Sequence, residues 1–276
     1  MAGIYFYRQT HDPERLISQA AKFACRGDFQ NAEKYYRLAE KTLVPQNDYQ
    51  IERLAELYLD LGNLYTDFKD SKTARPEYEK AEKLLAKIHS PMHIVANVNL
   101  AATYLSTEDY VRAIHYYLAA LDEIKQRNAV SNFSNTSLND IYGNLALCFL
   151  HHGEFSQAII FFHKSLELIT KFQPPALELE ARTDYHLACA YREANSLTAA
   201  ETYYLRALNL SDSGSEKLRF RAVNYWGLFK VFQQQNKISE AIKYGQLASD
   251  SYRRCSVSDS KSKEIEGWLR KQRLSR

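Results

Sequence analysis

A chain of 276 residues with a formal net charge of +3, 45% apolar and 25% charged, has the makeup of an ordinary globular protein. It contains no apolar run of about 18 residues, which excludes a helical membrane span. Nine glycines and six prolines leave room for long helices.

Residues 1–11 read as a short lead. Their apolar and aromatic run has no basic start and is too short for a secretory signal, so a cytoplasmic protein without a cleaved leader is expected. Asp12-Pro13-Glu14 supplies an N-cap, a proline at the first helical position and an acid in the first turn. Ser90-Pro91 repeats the device, and Ser137-Leu-Asn-Asp140 reads as a capping box. The longest connection runs from Arg127 to Thr136, rich in Ser and Asn, and divides three units from three. It reads as an exposed, mobile link, with a hinge or a ligand-contacting loop as the alternative. Gln173-Pro174-Pro175 stiffens the start of the fifth unit.

Residues 253–276 hold eight basic and three acidic residues, and 259–274 read as a helix with Ile265, Trp268 and Leu269 on one face. That pattern suits the cap an open-ended stack of units needs. Arg270, Lys271 and Arg273 leave open a basic handle for an acidic partner, nucleic acid or an anionic membrane, with nucleic acid the least expected.

The chain repeats. Ala32, Ala74, Ala113, Ala158, Ala200 and Ala241 each follow an aromatic by nine residues: Phe23, Tyr65, Tyr104, Phe149, Tyr191 and Phe232. Three residues before the aromatic stands a small residue in five copies, Phe229 being the exception. Four residues after the alanine stands an aromatic in five copies, Gly245 being the exception, and seven after it a small residue in all six. Offsets of three, four and seven mark one helix face, so each unit is two amphipathic helices joined by a short polar turn. Tyrosine is abundant, and the second member of each aromatic pair (Tyr36, Tyr117, Phe162, Tyr204) is a core position rather than a base-stacking one.

This small, aromatic, alanine, aromatic, small pattern resembles the tetratricopeptide repeat. The resemblance spans roughly residues 13–254. The spacing of 39 to 45 residues between alanines exceeds the usual 34 and is similar to the long repeats of kinesin light chains and Rap-type peptide sensors. It implies an all-α fold, a right-handed superhelical solenoid of six helix pairs at about 12–44, 48–89, 90–128, 137–172, 175–211 and 215–254. Residues 255–276 would form a basic C-terminal capping helix.

The family implies a concave groove, lined by the first helix of each pair, that holds a peptide or protein segment. In the long-period relatives an Asn in the motif N-L-A-x-x-aromatic binds the peptide backbone. The motif occurs here at Asn99 and Asn144, while Ser18, Asp60, His186 and Gly227 take that place in the other units. Asn63 falls at the clamp-asparagine position of chaperone-binding repeats, but Leu59 replaces the expected lysine. Candidate groove charges run from acidic (Glu14, Glu56, Asp67, Asp140) to basic (Arg182, Arg192, Lys230), with Glu193 against the trend. The expected site residues are therefore Asn63, Asn99, Asn144 and His186, with Arg182 and Arg192 as charge selectors.

No phosphate-cradling glycine loop or hydrolase motif is present, so neither catalysis nor a cofactor is expected. Cys25, Cys148, Cys189 and Cys255 form no C-x-x-C pair, and neither a disulfide framework nor a zinc site at Cys148 and His151-His152 is expected. The expected function is a non-catalytic interaction scaffold or adaptor. The alternatives are a receptor for a short signalling peptide acting on a separate effector, and an assembly subunit using its convex face or its ends. With the repeats beginning near residue 13, no effector module is expected ahead of them. Partner identity and oligomeric state are not legible.

Overall fold

The turn inside each pair explains why the nine-residue offset never varies. In the computed structural model, which describes residues 12–128, 134–210, 217–255 and 260–274, five of these turns contain one left-handed residue: Gly27, Glu108, Gly153, Asn195 and Asn236, with φ between 58° and 89°. The next residue returns its N–H to the carbonyl of the repeated aromatic: Asp28 to Phe23, Asp109 to Tyr104, Glu154 to Phe149, Ser196 to Tyr191 and Lys237 to Phe232, at 2.8–2.9 Å. The aromatic thus supplies both a core ring and the acceptor that ends its helix. Gly27, Gly153 and the asparagines suit the left-handed position, whereas Glu108 holds it at a cost of about 1 kcal/mol. The second pair turns differently, its Lys69 N–H reaching Tyr65 O at 2.9 Å with φ −129°.

Thirteen helices occur among the described residues. The first compact unit, Met1–Ser131, contains α1 (Pro13–Cys25) with α2 (Phe29–Thr42), α3 (Asp48–Phe68) with α4 (Ser71–Lys87), and α5 (His93–Ser106) with α6 (Tyr110–Gln126). The second, Asn132–Arg276, contains α7 (Asn135–His152) with α8 (Phe155–Ile169), α9 (Leu177–Glu193) with α10 (Leu197–Leu210), α11 (Lys217–Gln234) with α12 (Ile238–Arg254), and the terminal α13 (Ser260–Leu274). The fold is an all-α solenoid of helix pairs, and the two units part inside the 127–136 connection. No described helix is long and apolar enough to cross a membrane.

The six repeated alanines are fully buried. Their neighbours interlock small against large. At Gly62 a Cβ would come within 2.4 Å of the Tyr78 ring, so only glycine lets that ring lie on the helix backbone. The last pair inverts the scheme: Phe229 fills the usually small place and Gly245 faces it, an added Cβ there lying 3.1 Å from the Phe229 ring. The inversion seats α13, whose Ile265 is fully buried over Gly245 and whose Trp268 meets Phe229 edge-on at 5.2 Å.

The first member of each aromatic pair also has a fixed place. Phe23 stacks on Tyr35, Tyr104 on Tyr116, Phe149 on Phe161, Tyr191 on Tyr203 and Phe232 on Tyr244, with centroids 5.2–5.6 Å apart and planes within 18°. Offset stacking of this kind adds about 0.5–1.5 kcal/mol beyond area burial. The repeat pattern in the sequence marks only the second members as core positions.

Asp12 caps α1, accepting from the Glu14 N–H. Two helix starts differ from expectation. The cap of α7 is Ser134, whose Oγ accepts from the Ser137 N–H at 3.0 Å, so Ser137 already lies one turn inside the helix. Ser90 Oγ accepts from the Met92 N–H at 3.1 Å and closes a turn ahead of α5, which begins only at His93. The expected lead, 1–11, and the middle of the 127–136 connection lie outside the described residues.

Candidate peptide-binding surface

One position recurs on the first helix of each pair, fourteen residues before the alanine: Ser18, Asp60, Asn99, Asn144, His186 and Gly227. Where two pairs of one unit meet, this residue lies against the second-helix aromatic of the preceding pair. Asp60 lies close enough to Tyr36 for its charge, after burial, to raise the phenol's pKa, His186 stacks flat on Phe162 at 5.9 Å and 8°, and Gly227 lies under Tyr204, whose Cζ would be 2.3 Å from an added Cβ. Within each unit this row therefore follows the seams between pairs.

Asn63 and Asn99 come together at one such seam. Tyr78 donates to Asn63 Oδ1 at 2.8 Å, and Asn99 Nδ2 approaches the same oxygen at 3.4 Å. Asn63 is exposed and Asn99 half-buried. Each amide keeps donor or acceptor capacity beyond these bonds, which is what pairing with a peptide unit requires. Asn144, on α7 in the second unit, is half-buried beside the buried Leu145 and Ala146.

His186 is half-buried, and loss of hydration, reinforced by Arg182 and His151, pushes its pKa down to about 4. It therefore presents a neutral imidazole at pH 7. Asp60 moves oppositely: burial and then the Glu56 charge push it up to about 6. Cys148, fully buried, is pushed up to about 12 by burial and stays an unreactive thiol.

The expected charge gradient is partly consumed within the molecule. Glu14 and Glu56 both pair with Arg53. Lys230 pairs with Glu264 of α13 at 2.8 Å. Arg192 Nη2 pairs with Glu193 at 2.5 Å while its guanidinium lies 5.5 Å from the Trp226 ring centre. Arg182, Asp67 and Asp140 are exposed, and burial raises Asp140 despite the Arg182 charge. Sequence reading missed Arg53 because its partners lie three and thirty-nine residues away, the latter on another pair. On α13, Arg270 and Lys271 are exposed; the Arg273 side chain lies outside the described ones.

Two tetratricopeptide-repeat family profiles match the chain, at residues 137–213 and 55–84. At these residues the chain carries tetratricopeptide repeats. Among solved structures it is similar to the apo form of RapI, at 14% identity and TM-score 0.65 over 95% of this chain and 98% of that one. It is also similar to BtubC (BKLC) from P. vanneervenii, at 22% identity and TM-score 0.60 over 73% and 83%. A third is YrrB, described as a TPR protein with an unusual peptide-binding site, at 13% identity and TM-score 0.57 over 77% and 92%. At these identities the likeness is one of fold. No curated protein matches the chain. A tetratricopeptide-repeat solenoid is, in general terms, a protein-interaction scaffold.

Proposed function

We propose that this protein is a non-catalytic scaffold that holds a peptide or protein segment against the seam row of its first helices. The observation that carries the reading is the Asn63–Asn99 pair, two side-chain amides on neighbouring first helices, Asn99 Nδ2 donating to Asn63 Oδ1 at 3.4 Å. An amide pairs with a backbone N–H and C=O without reading the side chain between them, so such a row grips an extended segment with little sequence preference. In the second unit by itself, Asn144 would offer a grip of the same kind, and the neutral His186 would offer one donor and one acceptor. Arg182 is the selector the reading favours, since Arg192 is already paired.

The test is capture of a partner from lysate of the source organism by the native chain and by an Asn99→Ala/Asn144→Ala variant of matched helicity. Loss of the partner with the variant supports the reading; equal capture by both refutes it. An assembly role is the second reading. It draws on Val111 and Leu118 of α6, 62% and 40% exposed and seven residues apart on one helix face; a partner held there would survive the asparagine substitutions.

A further inference from the structure

The terminal helix α13 sorts its side chains by face. Ile265 is fully buried, and Trp268 and Leu269 pack beside it on the last pair. The two acids of the helix lie on its flanks and turn back to the body: Glu264 accepts from Lys230 at 2.8 Å and Glu266 from Ser249 Oγ at 3.4 Å. The outer face carries Lys263, Gly267, Arg270, Lys271 and Leu274, a run at i, i+4, i+7, i+8 and i+11 that forms one stripe about 16 Å long. All five residues are exposed, and Leu274, at 82%, is the most exposed large apolar side chain among the described residues. None of the three cations is ion-paired with another described residue. Gly267 sits at the middle of the stripe, one turn from Lys263 and one from Lys271. A glycine inside a helix weakens it relative to alanine, and packing within the chain does not call for one here, because an added Cβ would meet nothing within 4 Å. It leaves the α13 backbone open to close approach from outside.

We propose that the outer face of α13 is a docking strip for an acidic helix of a partner protein. The partner lies against Gly267, sets its carboxylates on Lys263, Arg270 and Lys271, and covers Leu274 with an apolar side chain. Complementary charge favours this occupant, and the makeup of the strip disfavours the others. A second copy would set like charges against like. A membrane surface needs apolar side chains on the outer face, and here all but Leu274 point inward. Duplex nucleic acid would press phosphates onto the flanking Glu264 and Glu266. Its footprint also gains nothing from the rest of the chain, which is net acidic: residues 253–276 hold eight basic and three acidic residues in a chain of net +3. A single helix approaches along one line and meets the cations between those two acids.

Fluorescence anisotropy of a labelled, acetylated Glu-Ala helical peptide tests this, with a Gln-Ala helix, duplex DNA and phosphatidylserine vesicles as rivals. The native chain should bind the Glu-Ala helix at least about tenfold more tightly than the Gln-Ala helix, and more tightly than DNA or vesicles. Lys263→Gln, Arg270→Gln and Lys271→Gln together should weaken that binding by about tenfold or more. Gly267→Leu should weaken it about as much while keeping native helicity, since the new side chain finds open space in the folded chain and blocks the partner's approach. Equal binding of the Gln-Ala helix, DNA or vesicles bound at least as tightly, or a Gly267→Leu chain of native affinity would each overturn the proposal. The Asn99→Ala/Asn144→Ala variant should bind the peptide as the native chain does. Loss of binding there, with the triple α13 variant unaffected, would assign the peptide to the first-helix row and remove the strip.

Discussion

Arg37 and Glu77 form an ion pair at 2.5 Å in the place where the other five repeats stack two aromatic rings. Glu77 stands three residues after Ala74, where Tyr35, Tyr116, Phe161, Tyr203 and Tyr244 stand in their own repeats, and it is only 5% exposed. Arg37 enters from the preceding pair and also donates to Tyr65 Oη at 3.1 Å. Burial alone would raise the Glu77 carboxyl, but hydrogen bonds from Arg37 and Lys80 outweigh it and hold it below its usual range. Glu77→Ala should cost about 1–3 kcal/mol, less than a fully buried pair because Arg37 is about a third exposed. Restoring the ring with Glu77→Tyr and Arg37→Leu together should recover most of the loss. Urea unfolding of the three variants checks this; a double variant no better than Glu77→Ala would mean the pair is not a substitute for the stack.

Two glycines should be intolerant of a single methyl group. Gly227→Ala drives a Cβ into Tyr204 and Gly62→Ala one into Tyr78. Each should destabilise by about 1–3 kcal/mol, although alanine is the better helix former. Gly267→Ala, with nothing within 4 Å of the added carbon, should instead gain up to about 1 kcal/mol. Thermal melts that rank the three otherwise would contradict the packing described.

The seam residues should give stability two opposing pH limbs. The depressed His186 contributes stability that is complete above its unfolded pKa of 6.5 and is lost as pH falls toward 4. Asp60 and Asp184, the latter fully buried on α9 beside Arg206, are both raised to about 6 chiefly by burial; they contribute most when protonated, and their contribution is lost as pH rises from about 4 through 6. His186→Gln should flatten the acid-side loss, and Asp60→Asn should stabilise at pH 8 by about 1–2 kcal/mol with little effect at pH 4. Profiles parallel to that of the native chain would show that the two groups feel ordinary solvent.

Truncation after residue 254 should lower the melting temperature, because it uncovers Phe229 and the Gly245 surface that Ile265 and Trp268 bury. Arg270→Gln with Lys271→Gln should leave the melt unchanged, since both side chains are exposed. A truncated chain that melts like the native one would make α13 an appendage.

The helix pairs were legible because the Ala32-type alanines, their preceding aromatics and the small partners recur at fixed offsets, and a packed interface leaves just such a period. Residues whose meaning lies across pairs were not legible. Arg37 finds Glu77 forty residues on, Arg53 finds Glu14 thirty-nine residues back, and Lys230 finds Glu264 on a helix outside the repeat. Asn63 and Asn99 stand out in the sequence for separate reasons, and only the fold brings the Asn99 amide onto the Asn63 oxygen.

The reversed Phe229–Gly245 contact also bears on how the chain could be lengthened. Where interior pairs of one unit meet, a second-helix ring meets a first-helix residue fitted to it, as Phe162 meets His186 and Tyr204 meets Gly227. The sixth pair offers a surface shaped for one particular lone helix. A copy of the sixth pair moved inward would turn toward a neighbour the side that α13 covers, and such a chain should fold less stably than the native one. In that sense the molecule carries its own full stop.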